Sequence, residues 1–288
     1  MKVRKAVVAA AGFGTRFLPA SKSVPKEMLA LLDRPLIHYA AAEAAASGIE
    51  HLIIITSRGK ESMADYFDRA PDLEAALEAK GRSHLLAEVR ELYERLQPAY
   101  VRQHEQLGLG HAVLSARKAV GDEPFAVFLP DDIIVSDRKP ALAQMLEVFE
   151  KHQGSVVAVQ SLPREDLPSY GVVDPEPVAD RVTRVKGLVE KPKPEDAPSN
   201  LGIVGRYIFT PEIFDCLERT QPGSGGEIQL TDGMALLAQQ QPMFAYEFEG
   251  TRFDTGNPLG MLKATVTMAL QRDDMASDFR EWLKGQAL

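Results

Sequence analysis

Short apolar runs alternate with longer amphipathic stretches along the first half of the chain. Four runs are apolar enough for strands buried on both faces, and they cover residues 5–11, 51–57, 125–129 and 155–161. Helical spacing of apolar positions predicts helices over residues 35–47, 112–120 and 140–152. This alternation predicts an α/β fold with a Rossmann-like, mixed and mainly parallel sheet flanked by helices.

The second half of the chain has a different rhythm. Strands are predicted over residues 170–174, 182–190, 202–209 and 243–253, with turns rich in Pro, Asn and Gly. They are expected to extend the sheet into a β-rich lobe. Residues 258–288 are predicted to form C-terminal helices with Trp282 as an apolar anchor. Since no linker is visible, we expect a single domain over residues 1–288, with lobes of about 1–160 and 161–257.

Residues 71–97 are long, charged and helix-prone, which predicts an inserted helical arm. A solvated surface hairpin is as good an interpretation of this arm as a substrate cover or a subunit contact. The only cysteine, Cys216, excludes an intramolecular disulfide, and its apolar neighbours predict a buried thiol rather than a nucleophile.

Composition limits the possible partners. The 288 residues are 45% hydrophobic and 26% charged, as in ordinary globular proteins. A net charge of -8 argues against a nucleic-acid binder, although a few cations in one cleft suffice for small phosphates. No stretch approaches the ~20 apolar residues of a membrane span, and the N-terminal apolar run is too short for a signal peptide. We therefore expect no membrane partner and a cytoplasmic location.

A glycine-rich turn follows the first predicted strand. Gly12 and Gly14 would let the backbone approach a ligand and direct N–H groups at phosphate oxygens, although a plain tight turn is the alternative. Phe17 stands where a dinucleotide fingerprint has its third glycine, and no Walker A lysine follows. The cations Arg16 and Lys26 lie just beyond. Two like unit charges ~5 Å apart repel by roughly 3 kcal/mol at a dielectric of ~20. Positive side chains would offset this repulsion between two phosphorylated molecules, so these cations suit a site where two such molecules bind together.

Three further groups of residues carry candidate chemistry. Asp131 and Asp132 end a buried strand, where paired carboxylates favour a cation such as Mg²⁺, with a turn or helix cap as the alternative. Gln103 follows a strand and offers the donor and acceptor that a pyrimidine edge requires, but it also suits a polar strand end. Glu190-Lys191 precedes Pro192, whose bend could turn both side chains into one cleft; a solvated pair is the alternative.

The segment GFGTRFLPASKSVPKEML resembles the signature of bacterial UTP–glucose-1-phosphate uridylyltransferases, within the sugar-nucleotidyltransferase family. The resemblance continues in order through VRQHEQLGLGHAVL, LPDD, YGVVD, VEKP, SNLGIVGRYIF, GEIQLTD and FDTG, so it covers nearly the whole chain. It implies an enzyme that joins UTP and glucose 1-phosphate with the help of Mg²⁺, and a homo-oligomer, either a dimer or a tetramer. It also implies that the first lobe binds the nucleotide and the second the sugar.

The resemblance assigns roles residue by residue. It implies nucleotide contacts from Ala11, Gly12, Gly14, Thr15, Glu27, Gln103 and Gly108. It implies that Asp131 and Asp254 bind the metal, while Asp132 either touches the nucleotide or orients its loop. Sugar contacts are expected from Tyr170, Gly171, Glu190, Lys191 and Gly202, although Gly202 stands where many relatives have Ala. Arg16, Lys26 and Lys191 are expected to stabilise charge as phosphate oxygen attacks phosphorus directly.

Three other functions compete with this hypothesis. A thymidylyltransferase of the same fold differs in substrate by one methyl group, which an apolar pocket discriminates by only ~1–3 kcal/mol. A catalytically silent regulatory paralogue is disfavoured by the intact set of charged residues. An NAD-dependent dehydrogenase is disfavoured by the missing third glycine.

Overall fold

The computed structural model describes residues 2–286, so the last two residues of the predicted helical tail lie outside the described part. The strands are β1 Lys5–Ala9, β2 Ala30–Leu31, β3 Arg34–Pro35, β4 His51–Thr56, β5 Gln97–Arg102, β6 Phe125–Phe128, β7 Asp132–Val135, β8 Ser155–Ser161, β9 Gly171–Ala179, β10 Val182–Glu190, β11 Leu201–Phe209, β12 Met243–Glu247 and β13 Thr251–Asp254. The α-helices are α1 Leu36–Ala46, α2 Ser62–Phe67, α3 Pro71–Ala79, α4 Ser83–Arg95, α5 Leu109–Ser115, α6 Arg117–Val120, α7 Ala141–His152, α8 Ile213–Arg219, α9 Leu230–Ala238, α10 Pro258–Ala269 and α11 Ala276–Lys284.

Within residues 2–286, nine strands form the main sheet in the order β5-β4-β1-β6-β11-β8-β12-β10-β9. The strands β5, β4, β1 and β6 run parallel to one another. Strand β11 is antiparallel to both of its neighbours, β6 and β8, and β12 is parallel to β8. The far edge, β12-β10-β9, is antiparallel. The mixed α/β sheet expected from the sequence is confirmed.

The central strands β1, β4, β6 and β11 are buried on both faces, which explains why they are continuously apolar rather than alternating. On β1, Ala6 and Val8 pack into the layer that contains α1 and α7. Val7 points the other way, into the layer that contains α5, α8 and α9. Cys216 on α8 is fully buried in this second layer, as expected for an inert thiol.

Two predicted elements are wrong in detail. Residues 243–253 form not one strand but β12 in the main sheet and β13 in a separate pair with β7. The break occurs at Gly250, whose φ of 147° and close approach to the Val135 carbonyl leave no room for a side chain. The predicted helix 112–120 is divided into α5 and α6. The break before β13 matters because it brings Asp254 beside Asp132 in the ladder.

The tail and the arm are both helical, but Trp282 is not an anchor. Trp282 is 57% exposed, and its ring stacks on that of Phe279 in the same helix. The arm is a helical hairpin, α3 and α4, attached to the core through Leu92. Within it, the buried Glu74 is bound by Arg90 and Tyr93.

Within residues 2–286, no helix combines the length and the hydrophobicity that crossing a bilayer would require. The division into lobes at about residue 160 stays a prediction.

Candidate active site

A cleft of about 480 Å³ opens at the carboxyl ends of β1 and β6. Ligands of open parallel sheets usually bind at the carboxyl ends of the strands. The predicted residues that line it are Ala11, Gly12, Gly14, Thr15, Lys26, Glu27, Gln103, Gly108 and Asp131. Sequence reasoning missed other lining residues, among them Gln106, Leu129 and Glu227. Arg16 is exposed beside the glycine-rich turn and does not line the cleft.

The turn after β1 is packed so closely on its neighbours that it requires glycine. Gly14 has a φ of 66°, and a Cβ at this position would lie 2.9 Å from the Lys26 Cβ. The Ser21 hydroxyl donates to the Gly14 carbonyl oxygen at 2.8 Å. Gly14 therefore sits directly against Lys26.

A buried ion pair lies beneath the turn. The Lys60 ammonium donates to Glu27 Oε2 at 2.7 Å and to the Ala10 carbonyl oxygen at 2.6 Å. The side chains are 8% and 1% exposed, and burial raises the pKa of Glu27 and lowers that of Lys60. Sequence reasoning missed Lys60, whose one signal was its position just after β4. Within the described residues, Glu27 Oε1 is buried without a hydrogen-bond partner.

At the other end of the cleft, Gln103 is buried and fixed in orientation. Its amide nitrogen donates to His111 Nδ1 at 2.9 Å and to the Gly108 carbonyl oxygen at 3.3 Å. Gly108 has a φ of 98°, and a Cβ there would lie 2.8 Å from the Cβ of Glu227. The Ile228 N–H donates to the Leu107 carbonyl oxygen at 2.7 Å, so the GEIQLTD segment holds this glycine turn in place.

The carboxylates of Asp131 and Asp254 lie close together. A Cβ at Gly256 would lie 3.0 Å from Asp254 Oδ1 and 3.1 Å from Asp131 Oδ2, so the two oxygens are no farther apart than these distances combined. Thr255 holds the two loops together, because its N–H and hydroxyl donate to the Asp131 carbonyl oxygen at 2.8 and 2.7 Å. The Lys26 ammonium lies 2.5 Å from Asp131 Oδ2. Although burial acts to raise the pKa of Asp131, Lys26 holds it below its ordinary value.

Two neighbouring carboxylates suit a hard cation that takes oxygen ligands, such as Mg²⁺, better than a metal that prefers nitrogen or sulfur. Within residues 2–286, no group of three or more His, Cys, Asp or Glu side chains is arranged to hold a metal. A cation here would therefore take its remaining ligands from substrate phosphates and water, as Mg²⁺ commonly does.

Asp132, the neighbour of Asp131 in the sequence, is bound by other parts of the protein. Its Oδ1 accepts from Arg252 Nε at 2.5 Å, and its Oδ2 accepts from the Gly205 N–H at 2.8 Å. It does not line the cleft, and burial raises its pKa. This geometry favours the loop-orienting role, and a contact with the nucleotide stays a prediction.

The residues predicted to contact the sugar form a second group, where β9 begins and β10 ends. Glu190 pairs with Gly171 in the ladder, and a Cβ at Gly171 would lie 3.3 Å from Glu190 Oε2. Lys191 has a φ of 46°, rare outside glycine, and its N–H donates to the Tyr170 carbonyl oxygen at 3.0 Å. This turn brings the Lys191 ammonium to 3.4 Å from Glu190 Oε1. The two side chains thus meet, and the bend lies at Lys191 itself rather than at Pro192.

Gly202 is close to this group but faces Leu162. A Cβ at Gly202 would lie 2.4 Å from Leu162 Cδ1 and 3.5 Å from the Tyr170 Cβ. Alanine would therefore force Leu162 to move. A Cβ at Gly171 would lie 2.9 Å from the hydroxyl oxygen of Thr231, a residue that the sequence did not suggest.

The nucleotidyl transferase family model matches residues 5–271 of the chain. A UTP–glucose-1-phosphate uridylyltransferase from Staphylococcus epidermidis is 48% identical over 283 residues, covering 98% of each chain. The solved structure of a UTP-bound UGPase from Acinetobacter baumannii has a TM-score of 0.91 at 40% identity, covering 99% of each chain. A UDP-glucose pyrophosphorylase complexed with UDP-glucose has a TM-score of 0.87 at 42% identity, covering 94% of this chain and 100% of that one. These findings confirm the family resemblance and the fold expected from the sequence.

Proposed function

The chain belongs to the nucleotidyl transferase family, and on that premise we propose that it transfers the uridylyl group of UTP to glucose 1-phosphate, releasing pyrophosphate and UDP-glucose. The observation that carries the proposal is that Lys26 and Asp131 pair in a glycine-lined cleft, while the Asp254 carboxylate lies close to that of Asp131. The similar uridylyltransferases and the UTP-bound neighbour support UTP as the nucleotide. We further propose that the enzyme acts in the cytoplasm.

The reaction is a direct displacement at the α-phosphorus of UTP. A phosphate oxygen of glucose 1-phosphate forms the new O–P bond while the bond to the β-phosphate oxygen breaks, and pyrophosphate leaves with that electron pair. The attacking oxygen is already anionic, so no general base is required. Catalysis then consists of positioning and of stabilising charge, for which Lys26 faces the cleft and Arg16 and Lys191 complete the cation set.

Asp131 and Asp254 would hold a Mg²⁺ ion, which when bound would neutralise phosphate charge. The chain's own contribution is to hold the two loops together through Thr255 and to direct Lys26 at Asp131. We expect Lys26 to exchange part of this contact for phosphate when substrate binds.

Recognition of the two substrates is divided between the two groups of residues. Gln103 presents an amide to uracil, in the orientation set by His111 and Gly108. The backbone and side chains of Ala11, Gly12, Gly14, Thr15 and Glu27 line the rest of the nucleotide cleft. Glucose would be bound by Glu190 and its phosphate by Lys191, with Tyr170, Gly171 and Gly202 as the wall.

We also propose a homo-oligomer, a dimer or tetramer. Leu259 and Leu262 on α10 are 60% and 59% exposed, and such neighbouring apolar side chains favour burial in a subunit contact. Sedimentation velocity measures the state directly, and a monomer at micromolar concentration would contradict the proposal.

The function is tested by pyrophosphate release from UTP, dTTP, ATP and GTP with several sugar 1-phosphates, with and without Mg²⁺. We expect the highest kcat/KM for UTP with glucose 1-phosphate, and loss of turnover after chelation. Higher kcat/KM with dTTP would favour a thymidylyltransferase, and no turnover with any pair would favour a silent paralogue.

The variant Asp131→Asn tests the proposed metal site in the same assay. We expect turnover to fall on the order of 100-fold or more with the fold intact by circular dichroism, because one carboxylate charge beside Lys26 and Asp254 is lost. The matched control is Asp215→Asn, which removes an exposed ion-pair carboxylate on α8. Near-normal activity of Asp131→Asn would remove this residue from the metal site.

A further inference from the structure

Arg252 joins the two groups of residues that form the candidate site. Its Nε and Nη2 both lie 2.5 Å from Asp132 Oδ1, next to the proposed metal ligand Asp131. Its Nη1 donates to the Tyr170 hydroxyl at 3.1 Å, and its Cζ lies 5.2 Å from the centre of the Tyr170 ring. The Arg252 side chain is only 8% exposed, so solvent screens these contacts little.

The position of Arg252 on β13 links it to the second proposed metal ligand. Arg252 and Asp254 are two residues apart on one strand, so their side chains leave the same face. Asp254 is paired with Asp132 in the β13–β7 ladder. One short strand therefore carries both a carboxylate of the metal site and the cation that contacts the sugar-side wall.

The partners of Asp132 explain why Arg252 is suited to this place. Oδ2 of Asp132 is bound by the Gly205 N–H, and Oδ1 by the guanidinium of Arg252. Both oxygens of this buried carboxylate are thus engaged by protein groups, which leaves the neighbouring Asp131 to face the cleft. A guanidinium can bind a carboxylate with one edge and a phenol with another, whereas a lysine ammonium acts as a single point charge.

We propose that Arg252 is a positioning residue for the sugar substrate, which holds Tyr170 against the bound glucose 1-phosphate while it neutralises Asp132. The inference rests on the proposed function. It predicts that the contact of Arg252 with Tyr170 acts on sugar-phosphate binding, whereas its contact with Asp132 acts on stability.

A double-mutant cycle between Arg252→Lys and Tyr170→Phe tests this. Arg252→Lys keeps the charge beside Asp132 but loses the fork that reaches Tyr170, and Tyr170→Phe removes only the hydroxyl. We expect each to raise the KM for glucose 1-phosphate roughly tenfold, as befits the loss of one hydrogen bond to a charged group, with little change in the KM for UTP. The double variant is expected to be no worse than either single variant.

The arm offers a matched control, because it contains a similar cluster of an arginine, a tyrosine and a buried acid. In the arm, Arg90 and Tyr93 both donate hydrogen bonds to Glu74. Arg90→Lys and Tyr93→Phe should leave both KM values unchanged. Two outcomes would show that Arg252 is only a structural residue. One is that the effects of Arg252→Lys and Tyr170→Phe are additive, and the other is that both KM values rise equally while the thermal transition falls.

Two further readouts keep the inference separate from the proposed function. If Arg252→Lys does not fold, Tyr170→Phe alone must still raise the KM for glucose 1-phosphate selectively, and an unchanged value overturns the proposal. If the wild-type enzyme makes no UDP-glucose, the proposed function fails first. The crystal structure of Arg252→Lys then tests the positioning role without an activity measurement. A Tyr170 ring that keeps its wild-type position in this variant contradicts that role.

Discussion

Charged side chains buried beneath the cleft are the least predictable residues of this protein. Arg206 is 1% exposed, and its guanidinium donates to Glu43 Oε2 at 2.8 and 3.0 Å and to the Leu129 carbonyl oxygen at 3.2 Å. It thereby connects α1 to the loop that ends in Asp131. The only signal in the sequence is a single charge within the apolar run of β11, which does not reveal its partner.

Lys60→Met should destabilise the fold strongly, because it leaves Glu27 buried without its cation. Breaking a buried ion pair from one side costs about 3–5 kcal/mol, whereas replacing both partners is much milder. Urea unfolding should therefore show a large loss for Lys60→Met and partial recovery in Lys60→Met with Glu27→Gln.

The control for this prediction is Lys2→Met, which removes the exposed pair of Lys2 with Glu50. An exposed pair of this kind contributes about 0–1 kcal/mol. Equal losses for Lys60→Met and Lys2→Met would mean that the buried pair does not support the turn.

Without the family resemblance, the candidate site was predictable mainly where its residues end strands. Asp131 follows a buried strand and Gly12 follows another, so the carboxyl-end rule for parallel sheets brings them to one edge. The partner of Asp132 was not predictable, since Arg252 is 120 residues away and reaches it only through the pairing of β13 with β7. Nothing local to either residue encodes that pairing.

At the scale of elements, the buried strands could be predicted to within a residue or two. Strands such as β1, β4 and β8 are β-branched, apolar and bounded by turn residues, so local preference and burial agree. The failure over residues 243–253 has a physical reason. Both β12 and β13 favour extended structure, and the break at Gly250 lets them join different partners, β8 and β7.

Gly260→Ala should damage the junction between α10 and the site. A Cβ at Gly260 would lie 1.8 Å from the Asp254 carbonyl oxygen, so the helix or the β13 end must move. Alanine usually stabilises a helix relative to glycine by roughly 0.5–1 kcal/mol. Here we expect destabilisation of about 1–3 kcal/mol from overpacking, together with lower turnover because Asp254 is displaced.

Thermal unfolding and the pyrophosphate assay measure the two effects of Gly260→Ala. Gly285→Ala near the end of α11 serves as the control, since the nearest atom to a Cβ there is 3.4 Å away. A stable and fully active Gly260→Ala protein would show that the α10 start can shift without disturbing Asp254.

At the scale of the whole molecule, acid stability should depend in part on one buried histidine. His38 on α1 is held between two partners: Nδ1 lies 2.8 Å from the Tyr66 hydroxyl and Nε2 lies 3.1 Å from Arg34 Nη1. Because a guanidinium only donates, Nε2 must accept, and the ring is neutral. Burial, assisted by the Arg34 charge, lowers the pKa of His38 from 6.5 to about 4, while Glu91 and Asp33 oppose this weakly.

The sign of the pH effect follows from this depressed pKa. Above pH 6.5 both folded and unfolded states hold a neutral His38, whereas between 6.5 and about 4 only the unfolded chain takes up the proton. The free energy of unfolding should therefore fall as the pH drops through this window, by up to roughly 3 kcal/mol from this group. His38→Gln should flatten the dependence, and exposed His84→Gln should not; parallel curves for wild type and His38→Gln would contradict the prediction.

The central place of β11 has a consequence for how such enzymes diversify. This strand comes from residues 201–209 yet lies between β6 and β8, which both come from the first 161 residues. The two halves of the chain are therefore interleaved in the sheet, and recombination that exchanged the second half for that of a distant relative would have to satisfy the hydrogen-bonding edges of both β6 and β8 at once. New sugar preferences are accordingly expected to arise by point changes and loop insertions at the rim of the cleft, not by transplanting half of the molecule.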